Sequence, residues 1–261
     1  MLDINDVTKV FHAGTVNEKI ALDKVNLHLN EGDFVTIIGS NGAGKSTLMN
    51  VVSGVFDTDG GKIVIDGMDV TPLSDYKRAK FVARVFQDPM KGTAGSMNIE
   101  ENLALAARRG ERRTLGWNVT SSDRQRFAEL VAGLGLGLEN RMTSKVNLLS
   151  GGQRQALTLL MATLNKPKVL LLDEHTAALD PTTAAKVLQL TQQITSGNNQ
   201  TTMMITHNMQ DAITYGNKLV MMSEGKIIFF AEGEQKRNLT VADLLAKFQA
   251  LGEQNDRILL G

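Results

Sequence analysis

Nine residues, Gly39-Ser40-Asn41-Gly42-Ala43-Gly44-Lys45-Ser46-Thr47, constrain this chain more than any other stretch of it. They follow the apolar run Phe34 to Ile38 and lead into Ser46 to Val52, which reads as a helix. Strand, glycine loop and helix together make a phosphate cradle. The glycines let successive backbone N–H groups turn inward, and the helix that follows adds its positive end. Lys45 supplies a mobile point charge, and the Ser46 hydroxyl is placed to ligate Mg²⁺. A nucleoside triphosphate is the expected ligand, but the loop alone does not say how its energy is used.

A loop of this kind needs an acidic partner, and Val169-Leu170-Leu171-Leu172-Asp173-Glu174 supplies one. Four apolar residues read as a strand buried on both faces, and its C-terminal end is where parallel α/β sheets bind ligands. Asp173 is expected to reach the Mg²⁺ shell, and Glu174 to polarise an attacking water. Between these two elements lies Leu149-Ser150-Gly151-Gly152-Gln153, which opens another helix. Ser150 and the two glycine N–H groups form a second anion site at a helix N-terminus. One nucleotide does not need two cradles on one chain. The second is therefore expected to serve the γ-phosphate of an ATP held by another copy.

The rest of the sequence arranges itself around these motifs. Short strands are expected over Leu2 to Val10, around Val25, Leu27 and Leu29, at Ile63 and Ile65, and over Val82 to Phe86. From 97 to about 166 the spacing turns helical, over Asn98 to Arg109, Ser122 to Gly133 and Gln153 to Asn165, which predicts a helical insertion in an α/β core. After Pro167 strand and helix alternate again. Asp180-Pro181 starts a helix, Thr201 to Thr206 is a buried strand, and Leu219 to Met222 and Lys226 to Phe230 form a hairpin through Glu224-Gly225. Residues 1–237 read as one nucleotide-type domain and 238–261 as a helical tail. In the tail Thr240 and Asp243 make a cap, and Val241, Leu244, Leu245, Phe248 and Leu251 share a face.

Charge and composition narrow the function classes. The 261 residues carry 28 Lys+Arg against 28 Asp+Glu, a balance that argues against a general nucleic-acid binder. Without cysteine there are no disulfides, thiolate zinc sites or cysteine nucleophiles. No apolar run reaches the roughly 18 to 20 residues of a membrane-spanning helix, and no signal peptide is visible, so a soluble cytosolic chain is expected.

In this combination the sequence resembles the nucleotide-binding subunits of ATP-binding-cassette (ABC) transporters, over residues 1–235 and with Leu149 to Gln153 similar to the family's signature. The resemblance implies an α/β fold: a P-loop NTPase core of mixed sheet and flanking helices, an N-terminal antiparallel β subdomain and an inserted α-helical subdomain. It also implies ATP and Mg²⁺ as cofactors and a head-to-tail homodimer that buries two ATP. Gln87, in Val85-Phe86-Gln87-Asp88-Pro89, is similar to the Q-loop glutamine that contacts Mg²⁺ or the attacking water. Ala177-Ala178-Leu179-Asp180 resembles the D-loop that crosses the dimer interface. His207 is similar to the switch histidine on the γ-phosphate, and Phe11 to the aromatic that stacks on adenine.

One departure is His175, where many members have proline; it is expected to be a neutral loop residue, in a run similar to bacterial uptake ATPases. Arg108 to Arg113 reads as a solvated loop by default, and Gly133 to Gly137 has the wrong spacing for a dinucleotide fingerprint. The resemblance implies separate permease subunits, peripheral attachment on the cytoplasmic side of the membrane, and import of amino acids or similar solutes with a substrate-binding protein in the complex. An iron–sulfur-assembly ATPase without transport, or an exporter of lipoproteins or peptides, are the alternatives.

Overall fold

The structure is a computed structural model and describes residues 1–110 and 119–250. Its organising element is a six-stranded sheet in which the phosphate-loop strand is central. In chain order the strands of the molecule are β1 (Leu2–Phe11), β2 (Lys19–Leu29), β3 (Phe34–Gly39), β4 (Gly60–Ile65), β5 (Met68–Asp69), β6 (Val82–Val85), β7 (Val169–Asp173), β8 (Thr201–Ile205), β9 (Lys218–Ser223) and β10 (Lys226–Glu232). The large sheet has the order β10-β9-β3-β8-β7-β6, parallel from β9 to β6, with β10 antiparallel at the edge. Strands β3, β7 and β8 are apolar or Thr-rich along their length because both faces are covered. A second, antiparallel sheet of order β2-β1-β4-β5 lies over one face.

The α-helices among the described residues are α1 (Lys45–Ser53), α2 (Asp75–Arg78), α3 (Ile99–Ala107), α4 (Ser121–Ala132), α5 (Gly151–Thr163), α6 (Pro181–Gly197), α7 (Met209–Thr214), α8 (Gly233–Arg237) and α9 (Val241–Ala250), with short 3-10 turns at Pro89–Gly92, Leu138–Arg141 and Val146–Leu148. The first core cluster lies between the two sheets, joining Ile4, Val25 and Ile63 to Leu48 and Val52 of α1 and to Ile37, Leu171 and Met203. The opposite face of the large sheet packs Val85, Leu170 and Leu172 on Leu159 of α5 and Leu188 of α6, and Ile38 and Met221 on Met209, Leu244 and Phe248. The α/β fold with its antiparallel β subdomain is thus as expected.

The helical insertion has a core of its own, in which Ile99, Leu103, Phe127, Val131 and Leu138 meet Leu157 and Leu160 of α5. Its entry is tied to the segment before α5: Ile99 N donates to Ser144 O and Val146 N to Met97 O. Helix α5 does not end with the insertion. Leu157 and Leu160 face the insertion core, but Leu159 and Ala162 face the large sheet. Any motion of α5 must therefore repack one cluster or the other.

Two charged residues are used structurally in ways their sequence context does not announce. The guanidinium of Arg78 is fully buried and donates to the carbonyls of Val51, Val52, Leu73 and Thr71, closing the C-terminal end of α1, whose last turn has no basic residue of its own. Arg109, from the basic run, is half-buried and donates to Ala162 O at the end of α5. The run is thus not simply solvated at that position; 111–113, like Trp117 and Leu251, lie outside the described residues.

Candidate functional site

The phosphate loop sits where β3 ends and α1 begins, and its glycines answer to close neighbours. Gly44 caps α1 with φ +101°, and a Cβ there would lie 2.6 Å from Ala21 O. Strand β2 therefore presses on the loop, and only glycine fits between them. Two residues earlier in β2, the Lys19 ammonium lies 3.6 Å from the point a Cβ on Gly42 would occupy. Lys45 is buried, and its ammonium donates to Gly39 O at 2.6 Å and Ser40 O at 2.8 Å. Ser40 is half-buried while Asn41 and Gly42 are exposed, Ala43 N closes the turn on Ser40 O, and Ser46 and Thr47 follow Lys45 in the first turn of α1. Ser46 is exposed and Thr47 half-buried.

At the end of β7 the two carboxylates diverge in use. Asp173 Oδ2 is 2.5 Å from Arg84 Nη2, both side chains being largely buried. Glu174 adopts φ +48°, a left-handed conformation uncommon for a non-glycine residue, held by its N–H bonding Ile205 O on the neighbouring strand. That kink turns the Glu174 side chain toward the end of β8, where His207 Nε2 lies 2.6 Å from its Oε1. The His207 bond holds the Glu174 carboxyl below the usual carboxylate range, and the nearby charges of His207 and Lys45 reinforce it against the opposing effect of burial. Glu174 is therefore ionised, which suits a residue that orients a water.

His175, next in the chain, is buried, and burial pushes its imidazole down to about 4. Its Nε2 lies 3.0 Å from Thr191 Oγ1, whose hydroxyl donates to Val187 O, so the ring donates from Nε2 and is neutral as expected.

The signature segment forms a capping box on α5: Gln153 N donates to Ser150 Oγ at 3.3 Å and Ser150 N to Gln153 Oε1 at 3.2 Å. Ser150 and Gly151 are exposed. Gly152 is buried, and a Cβ there would fall 2.1 Å from Thr183 Cγ2. Its missing side chain is thus required by the packing of α5 on α6, in addition to any role in anion binding. Asp180 caps α6 through Thr183 N at 3.0 Å, which keeps its carboxyl below the usual range. Gln87 is exposed just beyond β6, and Gln155 Nε2 of α5 lies 3.4 Å from the adjacent Phe86 O. Phe11 ends β1 opposite Lys19 of β2, so the strand end that carries it runs beside the loop; its ring packs edge-on against Phe56 with centroids 5.3 Å apart.

Arg84 was not foreseen as part of the site. It faces the same side of the sheet as Leu171 and Asp173, since β6 pairs with β7 in the register Arg84 to Leu171. Its Nη1 donates to Asn50 Oδ1 at 2.5 Å on α1, one turn after Ser46. Arg84 therefore links the face of α1 that carries the Ser46 hydroxyl to the Asp173 carboxylate. The sequence signal was a lone cation within the apolar strand Val82 to Phe86.

These oxygen donors fit Mg²⁺ rather than a softer ion: a hydroxyl, a carboxylate and the Gln87 amide. Among the described residues there is no group of three or more His, Cys, Asp or Glu that could hold a metal unaided. An ion held here would have to draw its other ligands from nucleotide phosphates and water, as Mg²⁺ commonly does.

Residues 22–177 match the family model described as "ABC transporter", a span that holds the loop, the signature and both carboxylates. The chain belongs to the ABC transporter family. This cassette is 43% identical over 249 residues to a tyrosine transport ATP-binding protein of Clostridioides difficile (strain R20291), covering 95% of this chain and 99% of that one. It is 34% identical over 233 residues to the methionine import ATP-binding protein MetN of Escherichia coli (strain K12), covering 87% of this chain but only 64% of MetN. Among solved structures it superposes with a TM-score of 0.75 and 28% identity on the dimeric post-hydrolysis cassette MJ0796 bound to ADP and Pi, covering 89% of this chain and 98% of that one. With the ADP form of the cassette MJ1267 the TM-score is 0.79 at 26% identity, covering 97% and 99%. The cassette is thus an ATPase of the transport family, and none of its described helices is long and apolar enough to cross a membrane.

Proposed function

We propose that this cassette is the ATPase subunit of an amino-acid uptake system, working as a head-to-tail homodimer on permease subunits at the cytoplasmic face of the membrane. The observation that carries the reading is the Glu174–His207 pair, set at the ends of adjacent parallel strands with Lys45 close enough to influence the carboxylate. The near full-length similarity to a tyrosine transport protein supports an amino acid as the solute; an uptake system of this kind would add a substrate-binding protein to the complex.

In this reading Lys45 leaves the carbonyls of Gly39 and Ser40 for the β- and γ-phosphates, while the N–H groups of Gly39 to Thr47 line the cradle. Ser46, Asp173 and Gln87 would hold Mg²⁺, which would neutralise charge on the phosphate oxygens. Phe11 supplies the adenine platform. Glu174 orients the attacking water, and His207 fixes the carboxylate while facing the γ-phosphate. A carboxyl held below its usual range is a weak general base, so Glu174 acts first by positioning; loss of solvent on dimer closure would raise its basicity. Ser150, Gly151, Gly152 and Gln153 of the second copy close over the γ-phosphate, with Asp180 and its loop at the interface.

Co-expression with a candidate permease tests the assignment. Expected is ATP-dependent accumulation of an aromatic amino acid in vesicles that hold the whole complex. Co-purification with soluble assembly-scaffold proteins and no permease would overturn it in favour of a non-transport ATPase.

A further inference from the structure

Arg84 is the residue at this site whose chemistry the ATPase reading leaves unused. Its guanidinium occupies Asp173, the carboxylate assigned to the metal, and the two side chains are only 13% and 15% exposed. A second N–H is fixed on Asn50 Oδ1, and the guanidinium carbon stands 4.8 Å from the centroid of the Phe86 ring, next to Gln87. The Nε atom is buried and has no hydrogen-bond partner. The group is therefore held by three contacts, of which Asp173 is the only carboxylate, and it keeps an unsatisfied donor.

We propose that Arg84 is an internal stand-in for the metal: in the nucleotide-free cassette its guanidinium neutralises Asp173, and arrival of Mg²⁺·ATP displaces it from that carboxylate. Two cations cannot share one carboxylate at these distances without repulsion in a site so little exposed. After displacement the guanidinium keeps its contacts with Asn50 and the Phe86 face but loses its charged partner, so the exchange is driven by the charge arriving with the metal and the phosphates. The same movement passes along Phe86 to Gln87, so Arg84 is a positioning residue that links filling of the metal site to the segment leading into the helical insertion. The inference rests on assigning Asp173 to Mg²⁺, and its test separates the two.

Nucleotide binding is read by fluorescence of a labelled ATP analogue while Mg²⁺ is titrated, with affinity in EDTA measured in parallel. For Arg84→Met the Mg²⁺ midpoint should fall by roughly 3- to 10-fold, with affinity in EDTA unchanged, since a competing cation has been removed. Asp173→Asn should raise the midpoint. If Asp173→Asn leaves it unchanged, the metal assignment fails and the inference with it. If Asp173→Asn raises it but Arg84→Met leaves it unchanged or raises it, the metal assignment stands and the stand-in role is overturned. Should Arg84→Met not fold, Arg84→Lys carries the same test. One ammonium cannot hold Asn50 and Asp173 with the geometry of a guanidinium fork, so the midpoint must still fall, by a smaller factor.

Discussion

At the scale of single residues the cassette works by giving neighbouring carboxylates different partners. Asp173 stays in line with β7 and meets Arg84; Glu174 is turned by its left-handed backbone and meets His207. Glu174→Gln should bind ATP normally but slow hydrolysis by at least about 100-fold, because a neutral amide cannot take the proton of the attacking water and is a weaker acceptor for holding it than a carboxylate. Steady-state phosphate release checks this, and a normal rate would remove Glu174 from its role. Lys45→Ala should weaken ATP binding by about 10- to 100-fold, the worth of a charged contact to phosphate, as read by calorimetry. The carboxylates and the lysine were legible in the sequence because fixed spacing carries their chemistry. Arg84 and Arg78 were not, because a lone arginine on an apolar strand or a short helix carries no spacing, and its partners come from remote segments.

At the scale of elements the joint between α5 and α6 does most to bind the signature to the rest of the molecule. Gly152→Ala places a methyl 2.1 Å from Thr183 Cγ2 and should destabilise the cassette by about 1–3 kcal/mol in denaturant unfolding. Adding Thr183→Ala removes the clashing methyl and should recover most of that loss; no recovery would mean Gly152 is not set by this packing. Arg78→Met should cost about 2–4 kcal/mol by leaving the carbonyls at the end of α1 unpaired. Most strands and the long helices followed from apolar runs, and Asp180 caps α6 as its sequence context implies; Asn98, Thr120 and Ser150 also cap their helices, while the two-residue strand β5 was too short to be read. The short helix α7 was missed because its six residues are too few to display a period, although Asn208 caps it. The double allegiance of α5 was hidden for another reason: periodicity marks an apolar face but does not say which core receives it.

At the scale of the whole molecule, His175 ties stability to pH. Buried neutral, its imidazole takes up a proton only near pH 4, whereas in the unfolded chain it does so near its ordinary 6.5. The unfolded state therefore binds more protons between these values, and stability falls as pH drops from 6.5 toward 4, by up to about 3 kcal/mol. His175→Gln, which can still donate to Thr191 but does not titrate, should flatten that part of the profile. An equal slope in both proteins would show that other groups carry it. The same scale holds what no single chain reveals. In the proposed reading the loop and the signature are two cradles on one cassette, the second completed only by a partner copy; Ser150 and Gly151 lie exposed at the start of α5. Sedimentation of Glu174→Gln with ATP and Mg²⁺ tests that account most directly. It predicts a dimer with ATP, a monomer with ADP, and a monomer with ATP once Ser150→Arg is added; a monomer in ATP, or a dimer that survives Ser150→Arg, would contradict it.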